Sequence, residues 1–141
     1  MNKTQRANLV KLADYLASLP PQYPNFDMST YAEDAHDVYE TPRSIKHNCG
    51  TVGCALGHGV DAGIVPEHKT TWRRYTLDYF GIPAASREWY FLFGPLWSTI
   101  NNTPKGTADR IREFLDNGVP EDFFHQLHHV PARYYAETSN G

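Results

Sequence analysis

Residues 47–59 read His47-Asn48-Cys49-Gly50-Thr51-Val52-Gly53-Cys54-Ala55-Leu56-Gly57-His58-Gly59, and they hold both cysteines and four of the ten glycines. Three chemistries suit these types at this spacing. A helix starting at Thr51 would put Cys54 in its first turn, where the helix dipole favours a thiolate, with His58 one turn on along the same face. That is the arrangement thiol nucleophiles use, with Cys49 as the other candidate sulfur. His47, Cys49, Cys54 and His58 also form an H-x-C-x4-C-x3-H set of the ligand types that tetrahedral zinc accepts. Ordinary structural zinc sites draw close ligand pairs from two separate elements, whereas here one short segment would wrap the ion alone. The third chemistry needs no side chain. The backbone N–H groups of Gly50, Thr51, Val52 and Gly53, at a helix N-terminus, would hold a phosphate or carboxylate.

Plainer readings compete with each. Thr51 also serves as an ordinary cap, and a free cysteine is commonly buried as a small apolar residue. Glycine costs a helix interior about 1 kcal/mol against alanine, so Gly53 and Gly57, four apart, call for a compensating close approach by another backbone or a ring. Close packing is the reading taken for these glycines. His125, His128 and His129 offer a second, weaker ligand set, and they read better as surface histidines at a helix C-terminus.

The elements that would position this segment are helical. Thr4 caps a first helix running to Leu19, which Pro20-Pro21 stops, and Pro20–Asp27 reads as an extended connector. Ser29 caps a turn through Glu33, and 34–48 reads as a long loop, of the kind that is more often functional than idle. The second helix spans Thr51 to about Ala62 with Gly63 as its terminator. A third covers Thr71–Phe80 before Gly81 and Pro83. Ser86 caps residues 87–93 (REWYFLF), whose apolar run leaves helix or buried strand open. Thr103-Pro104 is the strongest helix start, with Ala108, Ile111 and Leu115 on one face beside Phe114, and Gly118 closes that helix. Pro120 opens a last helix to about His129, and 137–141 reads as a frayed tail. The class is all-α, one domain over 1–141, with five or six short helices and long irregular connections.

Length and composition agree. The 141 residues are 40% apolar and 21% charged, which suits one folded domain, and three Trp, nine Tyr and seven Phe fill a core with rings to spare. A net charge of −3 argues against general binding to duplex nucleic acid or to an anionic membrane. No apolar run reaches the ~20 residues of a membrane span. With two cysteines and no secretory leader at the N-terminus, the cytoplasm is the expected compartment, with both thiols reduced. Trp72 stands beside Arg73 and Arg74, so a partly exposed ring there could stack on a base while the arginines meet phosphate. Trp89, Tyr90 and Trp97 could likewise stack on a base or anchor an interface, with core the reading taken for the 89–97 stretch.

The CGTVGCALG run at Cys49–Gly57 resembles a recurring family of small phage- and prophage-encoded proteins. The likeness extends to the opening amphipathic helix, to Phe26-Asp27-Met28-Ser29-Thr30, to Leu92-Phe93-Gly94 with Trp97, and to Thr103-Pro104 with Ala108, Arg110 and Ile111. The resemblance implies an intracellular accessory protein without a settled activity, of the sort that disables host defence. In that family an aromatic can take the place of His58, which argues against a Cys54–His58 pair or a four-ligand metal site as a shared mechanism. The expectation is therefore a non-catalytic binder in the host cytoplasm, without cofactor, that sequesters a small nucleotide-type anion or masks a host defence protein. Its expected ligand-binding residues are His47, Gly50, Thr51, Val52, Gly53, His58, Trp72 and Arg73. The alternatives are a thiol-dependent hydrolase or transferase using Cys54 or Cys49 with a histidine, and a zinc-stabilised interaction module on His47, Cys49, Cys54 and His58.

Overall fold

The computed structural model describes residues 1–24, 26–28, 32–33, 52–123 and 130–135. Helix α1 spans Lys3–Ser18 and starts two residues earlier than Thr4 would allow. Asn2 is its cap: the Asn2 side chain accepts from the Gln5 backbone and the Gln5 side chain accepts from the Asn2 backbone, both at 2.8 Å. Such a reciprocal capping box satisfies two orphan donors at once. Leu9, Leu12, Ala13 and Leu16, at helical spacing, form the buried face of α1.

Helix α2 (Trp72–Phe80) is capped by Thr71 and ends on Gly81, whose φ of 70° is the left-handed conformation glycine adopts without strain. Ser86 caps α3 (Arg87–Phe93), so the apolar run there is helix rather than strand. A single turn, α4 (Trp97–Ile100), precedes α5 (Pro104–Asn117), which Thr103 caps with proline at its first position. Helix α1 packs on α5 and α2, and α3 packs on α5. The architecture is helical, as its residue pattern leads one to expect.

Three expectations need correction. Residues 51–62 do not form an α-helix: Val52–Gly53 (β2) pairs antiparallel with Ala32–Glu33 (β1), Gly53 opposite Ala32. Only a 3-10 turn at Leu56–His58 and the turns after it follow, up to Gly63 with φ 93°. Gly53, Gly57 and Gly59 would together cost a regular helix a few kcal/mol, at about 1 kcal/mol each, and the ladder offers Val52 and Gly53 other backbone partners. The Pro20–Asp27 connector is bent rather than extended, through Tyr23 N–H to Pro20 C=O at 3.1 Å and Phe26 N–H to Tyr23 C=O at 3.2 Å. These turns carry Phe26 and Met28 into the core. At the start of the expected last helix, Pro120–Phe123 forms a turn. The turn expected from Ser29 through Glu33 gives way at Ala32–Glu33 to strand β1, while residues 29–31, the 34–48 loop, the 124–129 segment with its histidines and the 137–141 tail lie outside the described residues. Among the described residues no helix is long and apolar enough to cross a membrane.

Candidate functional site

The Cys54–His58 segment is folded inward. Its own backbone links the two residues, the His58 N–H donating to the Cys54 carbonyl at 3.1 Å. His58 is fully buried, with its ring stacked on Phe26 (5.9 Å, 14° between planes) and the edge of Tyr23 at 5.8 Å. Its Nδ1 lies 3.4 Å from Asp61 Oδ2, which also accepts the Tyr15 hydroxyl at 3.5 Å. Burial, and then the Asp61 carboxylate, push the Tyr15 hydroxyl up to about 12. His58 thus has a carboxylate partner and an aromatic surround within the fold.

Cys54 is a free, buried thiol, and burial pushes it up to about 11 despite backbone N–H contacts from Gly57 and Leu56. The expectation of a dipole-stabilised thiolate is overturned, because no helix starts there and desolvation disfavours the charged form. The phosphate cradle expected at Gly50–Gly53 loses its basis in the same way: Val52 and Gly53 belong to a strand. His47, Cys49, Gly50 and Thr51 lie outside the described residues. Among the described residues no cluster of three or more His, Cys, Asp or Glu is arranged to hold a metal.

Trp72 is buried to 9% exposure and meets Tyr75 edge-on at 5.6 Å, so the partly exposed stacking ring expected there is instead core. Arg73 is exposed on α2. The link between α2 and the 54–64 segment is Tyr75, whose hydroxyl donates to the Ile64 carbonyl at 2.6 Å. A Cβ on Gly59 would collide with that hydroxyl and sit 3.1 Å from the ring. Close approach of a ring is thus the reason for one glycine of the segment, Gly59.

A different place has the makings of a site. Residues Asn101, Gly106, Asp109, Arg110, Glu113, Arg133 and Tyr134 line a cavity of about 200 Å³ between α5 and the 3-10 turn Ala132–Tyr134. Arg110 is 2% exposed and lies with its guanidinium carbon 3.9 Å over the Trp97 ring. Its Nη2 donates to Thr107 Oγ1 at 2.8 Å, whereas Nε and Nη1 are buried with no hydrogen-bond partner. Those two atoms carry three of the five N–H donors of a guanidinium. Burial pulls Arg110 down to about 9, offset in part by Asp109 and Tyr134. It therefore still carries its charge at neutral pH.

The rest of the cavity is held firmly. Arg133 grips Asp122 through two 2.8 Å bonds, and Lys105 meets Asp109 at 2.8 Å. The Tyr134 hydroxyl donates to Glu113, at 2.9 and 3.0 Å from the two carboxylate oxygens. Asn101 donates to the Tyr134 carbonyl at 3.2 Å and accepts the Thr103 hydroxyl at 2.7 Å. Gly106 admits this amide, since a Cβ there would lie 2.5–2.7 Å from the Asn101 side chain.

Arg110 was not among the site residues expected from sequence. An arginine flanking an apolar helical stripe ordinarily runs its stem along the surface with its charge in water. The one legible sign is its place three residues after Thr107 and four after Gly106, both buried. Neither is apolar enough to mark that side of the helix as inward. Compared with protein-family models, with curated proteins and with solved structures, the chain matches none.

Proposed function

We propose that this protein is a non-catalytic binder of a small anionic ligand, received at the Arg110 cavity. The observation that carries this reading is the buried, charged guanidinium of a residue that lines a cavity of about 200 Å³, its Nε and Nη1 unpartnered and closed to solvent, so that an anion meets them once the guanidinium turns toward the cavity. An uncompensated buried charge costs several kcal/mol, and a carboxylate or phosphate offsets that cost with charge-assisted hydrogen bonds. Pockets for drug-sized ligands run to roughly 300–1,000 Å³, so this cavity favours something smaller than a whole nucleotide. The direction of the Cys54 shift, away from thiolate, weighs against the thiol-enzyme alternative.

In the phage setting that the resemblance implies, binding without turnover suffices: a protein made in excess lowers the free concentration of a small host signal or metabolite. The test is to purify the wild type and Arg110→Met from the host, denature both and identify released small molecules by mass spectrometry. The wild type should release a compound bearing a carboxylate or phosphate group in near-stoichiometric amount and the variant should not. Equal release from both, or none from a wild type equilibrated with host extract, overturns the reading.

A further inference from the structure

The cavity wall carries both signs of charge, and not all of it is matched. Arg133 is neutralised by Asp122, and Asp109 by Lys105. Two ionised groups remain. One is Arg110; the other is Glu113, three residues on along α5, which is in no ion pair among the described residues. The Tyr134 hydroxyl has one hydrogen to give, so the Glu113 carboxylate keeps most of its acceptor capacity.

At three-residue spacing on a helix, an arginine and a glutamate commonly pair with each other. Here they do not, because Trp97 and Thr107 hold the Arg110 guanidinium inward while Tyr134 holds the Glu113 carboxylate. The fold therefore keeps a cation and an anion apart on one wall of one cavity. A simple anion would satisfy Arg110 and meet repulsion from Glu113. A simple cation would do the reverse. A molecule with one charge of each sign satisfies both.

We propose that the ligand is a small zwitterion of the amino-acid class, its carboxylate on Arg110 and its ammonium on Glu113. This rests on the reading above that Arg110 receives a carboxylate or phosphate group, and it adds a positive group to the same ligand.

Isothermal titration of the wild-type protein with two matched series decides the matter. Glycine, β-alanine, 4-aminobutyrate and 6-aminohexanoate span the charge separations, and acetate, propionate, butyrate and hexanoate are their counterparts without the ammonium. At least one zwitterion should bind tenfold or more tightly than its carboxylate partner. Glu113→Gln, which keeps an acceptor for Tyr134, should bring that ratio close to one without weakening the carboxylate, and Arg110→Met should abolish binding of both. If every carboxylate binds as tightly as its zwitterion, the zwitterion is overturned while the anion site stands. Should neither series nor inorganic phosphate bind the wild type, the anion site falls as well. The wild-type ratio decides even where a variant fails to fold.

Discussion

The turn at Cys54–His58 and the middle of α5 each bury a polar ring or cation completely, yet they treat it in opposite ways. His58 is surrounded by Tyr23 and Phe26 and has the Asp61 carboxylate at its Nδ1, so the fold itself answers its polarity. Arg110 lines a cavity, is almost as deeply enclosed, has an aromatic face beneath it, and still keeps Nε and Nη1 without acceptors. The first arrangement stabilises the protein. The second is a standing cost unless something else completes it. Composition points the other way, since the conspicuous Cys, His and Gly residues are in the first region and an ordinary helix holds the second. Rarity of residue types marks where packing is tight; unmet hydrogen-bonding capacity marks where a ligand belongs.

Removing the two side chains is the direct way to break this contrast. His58→Ala deletes a fully buried ring and leaves Asp61 and Tyr15 to rearrange, so it should cost about 2–4 kcal/mol in urea or guanidinium unfolding, as other large-to-small core changes do. A midpoint unchanged from wild type would mean the ring is not held as described. Next in size is Gly59→Ala. The added methyl meets the Tyr75 hydroxyl and forces apart the contact between α2 and the 54–64 segment, at a cost of about 1–3 kcal/mol. Gly59 has an ordinary helical φ of −57°, so the loss would come from crowding rather than backbone strain. Tyr75→Phe in the same chain should recover part of it. No recovery would place the crowding elsewhere.

The same contrast explains what was legible beforehand. Helices α1, α2, α3 and α5 follow from local rules that act within a few residues: Thr71, Ser86 and Thr103 cap, Pro104 opens, Gly81 and Gly118 close. The 51–62 expectation failed because its rival was not local. Pairing of Val52–Gly53 with Ala32–Glu33 joins segments about twenty residues apart, and the helical pattern of Cys54, Gly57 and His58 contains no trace of it. The site was missed for a related reason. Whether an arginine on a helix flank reaches water or turns inward depends on Trp97, Thr107 and the position of Tyr134, and these are tertiary facts.

A third, smaller effect sharpens the account of the thiol. Cys54 titrates near 9 in an unfolded chain and about 11 in the folded one. Below pH 9 both states hold the proton and this contribution to stability is complete. Between pH 9 and 11 the unfolded chain releases it first, so stability falls as pH rises, by up to ~1.4 kcal/mol per pH unit for one proton. Tyr15 and Tyr134 add to the fall above pH 10, while Arg110 acts in the opposite sense above pH 9. The difference in slope between wild type and Cys54→Ala isolates the thiol. Parallel slopes over pH 9–11 would show that the thiol is not desolvated, and would reopen the nucleophile reading.

The smallest expected change in stability is the most informative. Arg110→Met keeps a flexible apolar stem under α5 and removes the guanidinium. The change forfeits the stacking on Trp97, worth about 2 kcal/mol or more when desolvated, and the bond from a charged group to Thr107, worth about 1.5–3 kcal/mol. It also removes a buried charge with no counter-ion, a penalty of several kcal/mol. These terms nearly cancel or favour the variant, so with ligand removed Arg110→Met should unfold within about 1 kcal/mol of wild type or later. The sign of the pH dependence follows. The wild-type penalty is complete below pH 9 and is relieved above it, as the folded protein sheds a proton that the unfolded chain keeps to much higher pH, so any advantage of the variant should shrink in alkali. A loss of 3 kcal/mol or more would instead mean that Arg110 is a satisfied structural cation like His58 in its own surround, and the two regions would no longer differ in kind. A residue that is dispensable for folding and indispensable for binding is what the unpartnered guanidinium requires, and no other substitution in the chain tests it as directly.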